Sequence, residues 1–498
     1  MNERIRSVVI VGGGTAGWMT AAALARYLPR ETTSITLVES EEIGTVGVGE
    51  ATIPQIATFN RMLGIDEDAF LRETQATFKL GIEFRDWGRL GERYLHPFGT
   101  YGWDLQGTEF HHFWMRARRT GESNSLDDYC LNSAAAYAGK FARPDGNPRS
   151  PLSRLAYAFH FDALLYAKFL RVFAEARGVN RVEGRVGSVE QEGDTGFVRR
   201  LGLEDGRSIE GELFIDCTGF VGLLIEKALA AGYDDWTELL PMDRAVAMPC
   251  ARIEEPKPYT IATARGAGWT WRIPLRHRTG NGHVYASRYT DKEAATQILM
   301  DALDGEPLAE PRHLSFTTGI RRKFWDRNVV AIGLSGGFLE PLESTSIHMI
   351  QTAIAKLLAL FPDTSWSAVD RDEYNRLLTT TFTHIRDFIV LHYVATSRDD
   401  TPFWRDRKKV EIPETLARKM ALIEGAGRFF RYEDELFSVT SWLAVMGGQG
   451  RGPSAYNPIA DGISDTNLKA SLADMRSVIM RTVNAMPRHE EFLSRVTR

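Results

Sequence analysis

One glycine-rich turn constrains this chain more than any other stretch. The β-branched run Val8, Val9, Ile10, Val11 leads into Gly12-Gly13-Gly14-Thr15-Ala16-Gly17, after which residues 18–28 read as a helix. Gly12, Gly14 and Gly17 stand at G-x-G-x-x-G spacing. The first allows the tight turn, the second lets backbone approach a pyrophosphate, and the third lets helix and strand pack closely. The amides of Thr15, Ala16 and Gly17 at the new helix start face a positive dipole end that suits phosphate. A second β run, 34–38, ends on Glu39, 22 residues after Gly17, where a carboxylate accepts from ribose hydroxyls and repels a 2′-phosphate. Strand, glycine turn, helix and acid together predict a dinucleotide site, FAD or NAD.

Composition narrows the rest. A chain of 498 residues with net charge −5 and no Lys/Arg block argues against nucleic acid or an anionic membrane surface as partner. No apolar run approaches the about 18 residues of a membrane span, and the N-terminus enters a strand directly, so a cytoplasmic protein is expected. Cys130, Cys217 and Cys250 share no metal-ligand spacing; they read as structural thiols of a reducing compartment, and no metal site is expected. The 11 Trp and 26 Phe supply enough aromatic area to line a flat apolar site.

Along the chain, 42–52 is rich in Gly and Glu and reads as a loop close to a ligand. Residues 66–76 read as a short helix capped by Asp66. Phe78, Leu80, Ile82 and Phe84 alternate with Lys79, Gly81, Glu83 and Arg85, which predicts one strand with one buried face. The stretch 121–150 is polar and predicts a surface excursion, and 157–173 predicts a helix. Residues 213–219 predict a buried strand with a turn at Asp216–Gly219. Trp269 and Trp271 share a strand face closed by Pro274. Asn328–Ile332 is another buried strand, and Gly333 opens the turn after it. From Ser346 on, apolar residues recur at helical spacing over 347–360, 370–396 and 468–486. Ser344, Thr345 and Ser346 suit capping of the first of these. The stretch 442–456 holds Gly447, Gly448, Gly450 and Gly452 and predicts a mobile loop. No second strand–glycine-turn–helix offers a nicotinamide site, since the glycines near Arg451 follow no strand.

Taken together, these segments resemble the flavin-dependent halogenases of the tryptophan-halogenase type. The resemblance rests on Gly12–Trp18, Val48-Gly49-Glu50-Ala51-Thr52, Phe78-Lys79-Leu80-Gly81, His160-Phe161-Asp162, Asp216-Cys217-Thr218-Gly219, Trp269-x-Trp271-x-Ile273-Pro274 and Glu340-Pro341-Leu342-Glu343-Ser344-Thr345. It covers the chain to about residue 360, and the combination of W-x-W-x-I-P with G-x-G-x-x-G is its most specific part. The fold it implies is α/β: a flavin-monooxygenase-like, Rossmann-type FAD-binding box over 1–365 with β-rich insertions, and a mainly helical substrate region over 366–498.

The implied activity is halogenation of an electron-rich arene, an indole foremost. A separate flavin reductase supplies FADH2, and O2 with chloride or bromide gives hypohalous acid at the flavin. The resemblance makes Lys79 the group that hydrogen-bonds hypohalous acid or forms a haloamine, and Glu343 the carboxylate that accepts the ring proton. By itself Lys79 also fits a solvated strand lysine paired with Glu83. Gly49, Glu50, Ala51, Asp216, Gly219 and Gly333 join the glycine turn as flavin contacts. Thr345 and Ser346 bind halide through their amides, with Ser346 standing where the family has glycine. His96, Phe98 and Trp442 form the aromatic platform for substrate. An aromatic hydroxylase of the same fold and a non-catalytic FAD-binding protein are the alternatives, and the oligomeric state stays open between monomer and homodimer.

Overall fold

The computed structural model describes residues 4–43 and 49–498; Val48, with Gly44 and Gly47 of the predicted ligand loop, lies outside the described residues. The chain divides into two compact units, each assembled from three separated stretches: 1–76, 161–243 and 315–383 in the first, and 77–160, 244–314 and 384–498 in the second.

The first unit is built on the sheet Trp325–Asp326, Val329–Ala331, Leu213–Asp216, Ser7–Val11, Ser34–Glu39, Asn180–Glu183 in spatial order. All neighbouring pairs are parallel except the first. Parallel strands covered on both faces read as unbroken apolar runs, which is why Val8–Val11 and Leu213–Ile215 lack alternation and are buried throughout. Val11 lies level with Asp216 on one side and Val38 on the other, so three strand ends share one carboxyl edge. Thr15–Tyr27, Ser346–Ala359 and Ala163–Glu175 are the helices that matter for the site. Val9, Val11, Val38, Phe214, Leu224 and Val329 centre one core cluster beneath the sheet.

The second unit holds a larger, mostly antiparallel sheet that runs Arg312–Ser315, Arg244–Cys250, Thr279–Tyr285, Gly268–Pro274, Thr260–Arg265, Gly81–Arg85, Arg93–Pro97. Within it Thr260–Arg265 pairs in parallel with Gly81–Arg85. Trp269 and Trp271 do share a face, with ring centroids 6.0 Å apart. Helices of the C-terminal stretch, Glu414–Ala426, Val439–Gly448, Asp465–Ala485 and His489–Val496, complete this unit.

Several expectations need correction. The predicted strand through Lys79 is two strands, Thr77–Lys79 and Gly81–Arg85, interrupted at Leu80, and both faces are buried rather than one. The supposed helix 157–173 begins as the strand Ala158–Asp162, where Asp162 caps the helix Ala163–Glu175 by accepting from the Leu164 and Leu165 amides. The stretch 121–150 is not a surface excursion: it contains the helix Leu131–Tyr137 and buries Tyr129, Cys130, Ala135 and Phe141. Its small residues pass for polar linker in a sequence, but Ala and Ser are what close packing admits. The glycine-rich loop expected at 442–456 is helical for its first half, since Val439–Gly448 includes Gly447 and Gly448. Packing of Trp442, Leu443, Val445 and Met446 outweighs the glycine penalty there. Asp66 does cap its helix, accepting from the Ala69 amide at 2.8 Å.

Candidate functional site

In the first unit the predicted cofactor residues gather at the carboxyl edge of the parallel sheet. Gly12 leaves the strand Ser7–Val11 with φ +110°, and a Cβ there would lie 2.3 Å from the Cys217 carbonyl oxygen. A Cβ on Gly17 would come within 1.8 Å of the Gly12 carbonyl oxygen. Only glycine fits either position, so the turn folds tightly under the start of the Thr15–Tyr27 helix. That helix has Gly14 as its N-cap, no side-chain cap and no acid in its first turn, which leaves its amides and dipole open to an anion. The residues present therefore fit a dinucleotide pyrophosphate.

Glu39 closes the neighbouring strand. Its Oε1 accepts from Arg181 Nε at 2.5 Å, and Trp18 Nε1 donates to Oε2 at 3.3 Å, so the carboxylate is held in place by the protein before any ribose arrives. Gly49, Glu50 and Ala51 form a short strand, and desolvation pushes the Glu50 carboxyl up to about 7. Asp216 is fully buried and turned inward. It accepts from Thr218 and from the Leu224 and Ile225 amides, so its carboxylate shapes the turn that carries Gly219. Gly333, at φ +81°, opens the turn after Val329–Ala331 on the same edge.

Glu343, 1% exposed, ends the single turn Pro341–Glu343. Ser344 follows in the left-handed region at φ 58°, and Thr345 is the N-cap of the Ser346–Ala359 helix. The expected cap by Thr345 is not made: its Oγ1 is buried without a hydrogen-bond partner. The helix start thus keeps its amides for another acceptor, and Ser346 presents a side chain at its first position.

The second unit carries the lysine. Lys79 is 0% exposed, which removes the solvated reading; the partner proposed for it there, Glu83, gives its Oε1 to Arg85 instead. The Lys79 Nζ stands 5.1 Å from the centroid of the Phe98 ring, in cation–π geometry. Behind it, Thr77 Oγ1 donates to the Pro274 carbonyl at 2.7 Å, so it accepts from His160 Nδ1 at 2.9 Å; His160 Nε2 then accepts from the Thr260 hydroxyl. Burial first, then the charge of Lys79, hold His160 neutral. His489 Nε2 accepts from the Phe78 amide at 3.1 Å while its Nδ1 donates to the Pro256 carbonyl, and burial lowers its pKa to about 4. Two neutral histidines, neither read as functional in the sequence beyond the match at His160, therefore clamp the short strand that presents Lys79.

A separate group of aromatic residues packs in the same unit. His96 is buried against Phe388 and Phe437, at 5.8 and 6.2 Å between ring centroids. Phe388 and Phe437 stack at 3.8 Å, and Trp442 meets Phe388 edge-on at 5.3 Å. Two of the three platform residues expected from the sequence, His96 and Trp442, are thus joined through Phe388 and Phe437, which no local motif marks, while Phe98 faces Lys79. A separate trio, Glu109, His111 and His112, brings possible ligand atoms within 4.8 Å of one another. Hydrogen bonds account for it: His111 Nε2 bonds the Gly427 carbonyl and His112 Nδ1 accepts from the Asn457 amide, which turns its Nε2–H toward Glu109.

The fold and the cradle define a dinucleotide-binding α/β protein. Comparison with known proteins completes the assignment: residues 7–465 match the tryptophan halogenase family, and the chain belongs to it as an enzyme of the flavin-dependent halogenase class. A tryptophan 6-halogenase of Streptomyces toxytricini is 36% identical over 485 residues, 91% of this chain and 92% of that protein. A flavin-dependent halogenase from Xanthomonas campestris superposes with a TM-score of 0.96 at 49% identity, covering 99% of this chain and 98% of that one. Another from Brevundimonas sp. BAL3 has a TM-score of 0.96 at 48% identity, covering 99% of this chain and 100% of that one. Among the described residues no helix is long and apolar enough to cross a membrane.

Proposed function

We propose that this protein halogenates an indole that lacks the amino-acid zwitterion, with bromide used ahead of chloride. The observation that carries the reading is a fully buried Lys79 against the Phe98 ring, in a chain of the tryptophan halogenase family. Gly12, Gly14, Thr15, Ala16 and Gly17 would hold the FAD pyrophosphate, Glu39 its ribose, and Gly49, Glu50, Ala51, Gly219 and Gly333 the rest of the cofactor. Reduced FAD from a separate reductase supplies, with O2 and halide, the halogen as hypohalous acid. The single glycine turn of the chain supports that dependence on an outside reductase.

The Lys79 ammonium donates to the oxygen of hypohalous acid. The halogen–oxygen bond breaks as the carbon–halogen bond forms, and the oxygen leaves as water with the lysine proton. Glu343 takes the proton displaced from the ring carbon. Proton exchange with water resets each group for the next turnover. At the Thr345–Ser346 helix start, the side chain of Ser346 crowds the anion position, which favours bromide because it gives up water more readily than chloride.

The test is a mass-spectrometric product screen with a flavin reductase, FAD, NADH and equimolar chloride and bromide, offering indole and tryptophan in competition. Brominated indole is the expected main product. Preferential halogenation of tryptophan overturns the substrate reading, NADH oxidation by the protein alone favours a hydroxylase, and absence of product under all conditions favours a flavin-binding protein without turnover.

A further inference from the structure

The aromatic group that holds His96 and Trp442 ends on a second buried lysine. Lys419, on the Glu414–Ala426 helix, is 5% exposed and bonds both carboxylate oxygens of Glu435, itself 8% exposed. Around the Lys419 Nζ stand three rings: Phe429 at 4.9 Å, Tyr432 at 5.1 Å and Trp442 at 5.3 Å from their centroids. Rings on several sides with a carboxylate at the base make the arrangement by which proteins recognise a substrate ammonium. Here the protein's own ammonium fills it. Trp442 belongs both to this cage and to the group of Phe388, Phe437 and His96, so the cage is continuous with the platform residue His96.

We propose that Lys419 and Glu435 set substrate charge: Lys419 occupies the place of a substrate cation, Glu435 neutralises it, and the paired site accepts only aromatic substrates whose side chain is uncharged. A tryptamine-type ammonium meets a cage already occupied and a carboxylate already paired. An indole carboxylate meets a lysine whose charge is spent. Burying either charge beside the pair without a partner of its own is costly. This inference rests on the reading that the substrate is an indole without the zwitterion, and it supplies residues that enforce the choice.

The experiment compares 3-propylindole, tryptamine and indole-3-propionate in the full system of reductase, FAD, NADH and bromide. Wild-type protein should prefer the neutral compound, with the discrimination in KM rather than kcat. Lys419→Met empties the cage and frees the carboxylate, and should raise the tryptamine-to-propylindole ratio about tenfold, the equivalent of about 1.4 kcal/mol. Glu435→Gln leaves the ammonium unneutralised and should raise the indole-3-propionate ratio instead. A double Lys419→Met, Glu435→Leu variant, with no lone buried charge, should move neither ratio. Single variants that bind FAD normally yet leave both ratios unchanged overturn the proposal, as does wild-type protein that turns over tryptamine and 3-propylindole with equal KM. A wild-type preference for tryptophan over indole overturns the zwitterion-free reading and this proposal together, whereas ratios that do not move while indole is still preferred overturn the proposal alone.

Discussion

The flavin-side unit and the lysine-bearing unit solve their tasks with different materials. At the parallel-sheet edge, recognition is assigned to backbone: the Gly12–Gly17 turn and two helix starts with unclaimed amides. Side chains there, Asp216 above all, hold turns in shape. In the other unit the working parts are side chains brought together from distant stretches: Lys79 on Phe98, His96 on Phe388 and Phe437, Lys419 among three rings. Backbone sites tolerate almost no added atom, whereas side-chain sites can be retuned one residue at a time. On the proposed reading the first unit holds the cofactor, and the second carries Lys79 and the side chains by which substrate choice can change.

That contrast can be broken at several points. The largest effect is expected at the lysine. Lys79→Ala should lower halogenation by about 10²–10⁴-fold, the usual weight of a positioned proton donor, while NADH and O2 consumption with the reductase continues. Near-normal product from that variant removes Lys79 from the chemistry. Glu343→Gln should fall in the same range for product, again with FAD binding intact.

On the flavin side, Gly17→Val should weaken FAD without touching the aromatic group. Its Cβ would stand 1.8 Å from the Gly12 carbonyl oxygen, and forcing that turn apart costs about 1–3 kcal/mol, or about 5- to 150-fold in the FAD Kd. Fluorescence titration with unchanged affinity would show that the turn does not carry the pyrophosphate.

The strand that presents Lys79 should be sensitive to acid through His489. Its folded pKa of about 4 lies below the ordinary 6.5, so the unfolded chain takes up the proton first. Stability is full above 6.5 and falls by about 1.4 kcal/mol per pH unit as the pH drops from 6.5 to 4. Thermal melts across that window should show a slope to which His160, His283 and His348 also contribute, and His489→Gln should reduce it by that one-proton share.

The smallest effect concerns halide. Ser346→Gly should bring chloride and bromide closer together by about 2- to 5-fold, the weight of one anion at a helix start. Competition at equal halide concentrations reads the ratio; no change would place the preference elsewhere.

Local patterns made much of the first unit readable from sequence. The β-branched run, the glycine spacing and Glu39 lie within one short stretch, and a parallel strand advertises itself as an unbroken apolar run. The Asp66 cap and the Trp269–Trp271 face were readable for the same reason: both depend on residues a few positions apart. The break at Leu80 and the helix over Val439–Gly448 were not, because burial from distant segments overrode local alternation and glycine content.

By itself, then, the sequence determined the dinucleotide turn, the family and the residues to examine, since each is written in near-neighbour spacing. It could not determine that Lys79 is dry, that His160 and His489 are neutral, or that Lys419 fills its own cage. A charge on an amphipathic stretch is compatible with water or with a core, and the difference is decided by segments hundreds of residues away. Lys79 and His489 stand 410 positions apart, yet the histidine bonds the amide of the residue just before the lysine. Only tertiary packing removes the water and brings the partner, and desolvation with pairing is what makes a lysine chemically distinct from its neighbours on the surface.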